Sequence, residues 1–119
     1  MPTRNDSGTR TFTTATAIAA GLLVKLDSDE DVSIAAVSEQ AIGVMRDESF
    51  AAGDAHAVDL LTKPGTVICI AAGAFSAGAI VYGRNGGKVD DTSADSAIAF
   101  GKAVTAATAD GDEVEVMPF

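Results

Sequence analysis

The chain has no tryptophan, one tyrosine, one histidine and one cysteine among its 119 residues. A lone cysteine excludes an intrachain disulfide. Cys69 stands in the apolar run TVICI, the setting of a small buried hydrophobe. One histidine and one cysteine fall short of a zinc set, which draws on several such ligands, and no spacing joins His56 to Cys69 as a nucleophile pair. Basic charge is scarce as well. Eight Lys and Arg stand against 17 Asp and Glu, for a net charge of −9. That balance argues against nucleic acid as a partner, because phosphate contacts need a basic face. It argues equally against an anionic membrane surface. No apolar run approaches the ~20 residues of a membrane helix. The opening MPTRNDSGTR has no hydrophobic stretch of a signal peptide, so synthesis and assembly in a cytoplasm are expected.

What is abundant is alanine, 23 residues of it, within a hydrophobic share of 47%. That share is enough for a folded core. Alanine adds little buried area, however, at about 25 cal/mol per Å² of apolar surface. A thin core of this kind is often reinforced by oligomerisation. Short apolar runs (LLVKL, VSIAAV, AIGVM, AHAVDLL, TVICI, AIVY, AIAFGKAV, DEVEVM) alternate with turn residues. The spacing predicts an all-β barrel or sandwich. Helix is the rival reading for ATAIAAGLLVKL, but Gly21 interrupts it and no 3.6-residue period persists. A short helical turn is allowed near TSADSA, and Asn85-Gly86 predicts a tight hairpin. Residues 1–14, polar and Thr-rich, read as an extended N-terminal arm with no core of its own, ahead of a single β domain over 15–119.

AIAAGLLVKL at residue 17 returns as AFSAGAIVYG at residue 74, 57 positions later (74 − 17). AIGV at 41 returns as AFGK at 99, and AAGDAHAV at 51 as ADGDEVEV at 109, both 58 positions later (99 − 41, 109 − 51). With the alanines discounted, Gly21/Gly78, Val24/Val81, Gly43/Gly101, Gly53/Gly111, Asp54/Asp112 and Val58/Val116 still match. The spacing predicts two copies of one β unit, over 17–61 and 74–117, each too small to bury its face alone. Gly21, Gly78, Gly53, Asp54, Gly111 and Asp112 then act as structural turn residues: glycine for backbone that other residues avoid, aspartate to bond its own turn. Alternation in DEVEVM puts Val114 and Val116 on one side and Glu113 and Glu115 on the other; His56, Val58 and Leu60 take the matching inward side.

No catalytic set stands out, so the chain is not expected to be an enzyme and no cofactor or metal is expected. GRNGGK lacks the phosphate-loop pattern. Asp27, Asp29 and Asp31 alternate like the start of a calcium loop, but Val32 holds the glycine position and Ser38 the position of the closing glutamate.

TRTFTTATAIAAGLLVKLD, AIGVMRDESFAAGDAHAVDLL, AGAIVYGRNGGKV and AFGKAVTAATADGDEVEVMPF occur in that order and cover nearly the whole chain. In this it resembles the capsid decoration, or cement, proteins of tailed bacteriophages. The resemblance implies a structural virion protein, made in the host cytoplasm. It would bind the outer surface of the capsid as a homotrimer and tie neighbouring capsomers together. Its partners would be the major capsid protein and itself, with no nucleic acid and no membrane. The arm is the expected capsid-binding element. Thr3, Arg4, Arg10, Thr11, Phe12 and Thr13 would add as a strand to a capsid edge, with the arginines on carboxylates and Phe12 in a pocket. The alternatives are a small β-barrel module binding a sugar, or a cation at the acidic loop, and another virion subunit of tail or tube.

Overall fold

The computed structural model describes residues 8–14, 16–28, 31–46, 55–61 and 65–119. The described residues form ten strands: β1 (Thr9–Thr14), β2 (Leu23–Ser28), β3 (Asp31–Ile34), β4 (Gly43–Met45), β5 (Ala55–Leu60), β6 (Val67–Ile70), β7 (Ile80–Gly83), β8 (Val89–Asp90), β9 (Ala99–Ala103) and β10 (Glu113–Pro118). Among the described residues there is no α-helix, and the only helical element is a 3-10 turn at Asn85–Gly87. The first five strands close into a barrel in the order β1-β3-β2-β4-β5, and the other five form a sheet in the order β6-β10-β9-β7-β8. A parallel bridge between Ala71 and Val89 brings the two edges of that sheet together.

The register of the first half returns in the second. Leu23 faces Val44 and Val24 faces Gly43; Ile80 faces Lys102 and Val81 faces Gly101, displaced by 57 and 58 positions (80 − 23, 102 − 44). Gly43, Val44 and Met45 face Leu60, Asp59 and Val58, as Gly101, Lys102 and Ala103 face Pro118, Met117 and Val116. The same displacement carries Gly21 N–H to Met45 C=O, 2.8 Å, onto Gly78 N–H to Ala103 C=O, 2.8 Å. Gly21 and Gly78 adopt φ of 88° and 87°, a region that side chains with a Cβ avoid. A Cβ on Gly43 would lie 2.4 Å from the Asp59 carbonyl oxygen, and one on Gly101 2.4 Å from that of Met117. Backbone stands on both sides of that contact, so neither position admits a side chain.

Residues 9–14, expected as part of an arm over 1–14, are built into the barrel wall. They are not a free arm. β1 runs antiparallel to β5, with Phe12 facing His56, and parallel to β3, with Thr14 facing Val32. Phe12 and Thr14 are buried while Thr11 and Thr13 are exposed, the alternation of a barrel wall. The counterpart of β1 is β6, which pairs with β10 so that Cys69 faces Val114, 57 and 58 positions on (69 − 12, 114 − 56). Thr3 and Arg4 lie outside the described residues.

Two turns also differ from expectation. Near TSADSA the chain makes no helical turn; Asp95 and Ser96 have φ of 61° and 59°, and Ala97 N–H donates to the Ala94 carbonyl. Those signs give a left-handed hairpin-type turn. The Asn85-Gly86 hairpin is wider than two residues: Arg84 N–H donates to Lys88 C=O across the 3-10 turn.

Two clusters form the core. Phe12, Ile18, Val24, Val32, Met45 and Val58 fill the barrel. Cys69, Phe75, Val81, Val89, Phe100, Ala103, Val114 and Val116 fill the second sheet, together with Leu23, Ala35, Ala41 and Val44 from the first half. Leu23 and Val44 neighbour Val24 and Met45 along their strands, so they point out of the barrel. They are nonetheless 2% exposed, because the second half is built over them. Leu23 Cδ1 lies against Gly83, and Val37 N–H donates to Asn85 Oδ1 at 3.1 Å.

Candidate functional site

The sequence-singled residues that are described take definite places. Arg10 lies on β1 with its guanidinium 4.7 Å from the centre of the Phe12 ring, a cation–π contact. Phe12 is 6% exposed, so it cannot anchor in a partner's pocket. Thr13 donates its hydroxyl to Asp31 at 2.9 Å. Asp31 is therefore tied to the wall. Asp27 lies 3.9 Å from Lys25, which bonds Glu39 more closely. That bond raises the lysine pKa and lowers the glutamate's. Asp29 lies outside the described residues, as do Gly53 and Asp54.

Asp112 closes a turn. Its Oδ2 accepts from the Thr108 N–H and hydroxyl at 2.8 Å and from the Ala109 N–H at 3.1 Å. Those three bonds, the Thr108 N–H foremost, hold its carboxyl below the ordinary 3.8. Gly111 precedes it at φ 94°. Burial pushes the Cys69 thiol up to about 12, which leaves no thiolate for chemistry. His56, half-buried on β5, stands across from Phe12. Among the described residues no three metal-ligating side chains gather.

What the sequence does not single out is a wall. On the outer face of the second sheet, Ile80, Lys102 and Met117 lie in one row across β7, β9 and β10. Val104, Glu115 and Ile68 lie in the next, where Val104 N–H donates to Glu115 C=O and Glu115 faces Ile68. The four apolar side chains are 43–50% exposed. In the barrel the same two rows read Leu23, Val44, Asp59 and Arg46, Ala57, Thr11. There the apolar pair is covered, and Arg46 lies 3.8 Å from Asp59. A signal was present in DEVEVM, where alternation places Met117 on the side of Glu113 and Glu115. Between the halves lies a cleft of about 300 Å³ whose lining includes Arg46, Asp59, Thr66 and Glu113. This geometry suits contact over broad faces.

A family model described as phage cement protein matches residues 3–118. Among solved structures, the N base of the head fiber gp8.5 of bacteriophage phi29 superposes with a TM-score of 0.75 at 21% identity, over 93% of this chain and 92% of that one. At that identity the likeness concerns the fold. No curated protein matches the chain.

Proposed function

The chain belongs to the phage cement protein family, and from that premise we propose that it binds the outer surface of the capsid as a homotrimer and fastens neighbouring capsomers. It is a structural protein of the phage virion; the trimer, the outer face and the fastening are the proposal. The family match over 3–118 carries the reading. An acidic chain of net charge −9 also suits the outside of a DNA-filled shell better than its interior, where like charge repels.

The capsid contact is proposed for the segment ahead of β1, with Thr3 and Arg4, together with Arg10 and the outward Thr11 and Thr13. Phe12 has no part in it, since it fills the barrel. Three such contacts on one trimer act with avidity, because the second and third form at high effective concentration. The major capsid protein is the partner. Residues 17–61 and 74–117, extended by the register of β1 and β6, are proposed as two copies of one unit, with Gly21, Gly78, Gly53, Asp54, Gly111 and Asp112 setting its turns.

The test is co-sedimentation with capsids assembled without this protein, alongside the mass in solution. The full chain should bind as a trimer. Deleting residues 1–7 should leave the circular dichroism unchanged and weaken binding at least tenfold. A full chain that leaves capsids bare would overturn the reading.

A further inference from the structure

The wall of Ile68, Ile80, Val104 and Met117 is bare, and the equivalent wall of the barrel shows what covers such a face. Leu23 and Val44, the counterparts of Ile80 and Lys102, are sealed by one end of the second half. That end presents Val67, Gly83, Phe100 and Asn85. Val67 and Phe100 share the cluster that holds Leu23 and Val44, Gly83 lies against Leu23, and Asn85 takes the Val37 N–H. The contact is head-to-tail: the wall of one unit seats on the end of the next.

We infer that the bare wall seats on the barrel end of a second copy of this chain, so that the packing within one chain continues between chains. The inference rests on the homotrimer reading and names its contact. The positions matching Val67, Gly83, Phe100 and Asn85 are Arg10, Leu26, Ile42 and Ser28, displaced by 57 or 58 (67 − 10, 100 − 42). Leu26 there is 52% exposed. Charge fits as well: the wall carries Lys102 between Ile80 and Met117, beside Glu113 and Glu115, and the barrel end carries Asp27 and Asp31 next to Ser28, so Lys102 has carboxylates to meet. Because the wall and the end are different surfaces, the contact is heterologous, and rotation closes it into a ring.

The test is sedimentation velocity on the full chain, on Ile80→Glu and on Leu26→Glu, each alone and then the two variants mixed in equal amounts. The wild type should run as a ring of three and each variant as a monomer. The mixture should run as a dimer, because one intact wall meets one intact end. Met117→Glu, at a half-exposed position, should behave like Ile80→Glu, and an unchanged circular dichroism spectrum in each variant ties the loss to assembly. A Leu26→Glu chain that still assembles overturns the inference, and so does an intact ring from both wall variants. Capsid co-sedimentation on the same samples separates the two readings. A monomeric wild type that binds capsids overturns this contact and leaves the capsid role standing. A ring that ignores capsids does the reverse.

Discussion

The two halves share three buried valines and little else in their cores. Val24, Val32 and Val58 in the barrel correspond to Val81, Val89 and Val116 in the second sheet, all 0% exposed. Around them the bulk is redistributed. The barrel holds Phe12, Ile18 and Met45 where the second sheet holds Cys69, Phe75 and Ala103. Total volume and pattern matter more to such a core than any one side chain. The second core is short of bulk at two of those three places. Leu23, Ala35, Ala41 and Val44 of the first half supply some of it. The halves are alike in register and unequal in self-sufficiency: the barrel fills itself, and the second sheet is completed from outside.

The largest effect is expected from removing the strand that the halves position alike. Deleting residues 1–14 removes β1 from between β3 and β5, so the barrel should lose its cooperative unfolding transition as well as any binding. Phe12→Ala should cost about 3–5 kcal/mol by chemical denaturation, as for other buried aromatics. Cys69→Ala, at the matching position, should cost about 1 kcal/mol by loss of one small group. Equal costs at the two positions would break the account of where the bulk lies.

Next come the close approaches. Gly43→Ala and Gly101→Ala each place a Cβ against a cross-strand carbonyl. Each should destabilise by about 3 kcal/mol, the upper end of ordinary overpacking. The two losses should agree, and a variant at either site that unfolds at the wild-type denaturant concentration would show that the strands part there at little cost.

Most strand positions were legible in the sequence because they rest on local apolar alternation, and so were Gly43 and Gly101, glycines where no Cβ fits. β1 was not. Its inward residues are Phe12 and Thr14, and a buried threonine leaves no apolar stripe to read. Its counterpart TVICI shares only the threonine at the first place, Thr9 and Thr66, with TRTFTT, so no identity linked the two strands. The bare wall was illegible for a different reason. Leu23 and Ile80 look the same in sequence, and only the docking of the halves buries one and exposes the other.

Acid should act on the second half more gently. The Asp112 carboxyl is held below 3.8 in the folded chain. A group lowered in this way contributes stability that is present above its ordinary pKa and lost as pH falls through the lowered one. Asp112→Asn should therefore lower the thermal midpoint at pH 7 and flatten its decline below pH 3.8, followed by scanning calorimetry from pH 7 to pH 3. The smallest effect concerns Cys69. With its thiol buried and pushed to about 12, a disulfide reagent at pH 8 should label it only at the rate of global opening, and denaturant should release it at once.

In each half the first strand pairs with the last, β1 with β5 and β6 with β10. A ribosome that has delivered residue 61 has released everything the barrel needs to close. The second sheet must wait for β10, about 60 residues and several seconds later at ordinary elongation rates. In a chain whose barrel closes first, Leu23 and Val44 would be the surface against which the later strands collect.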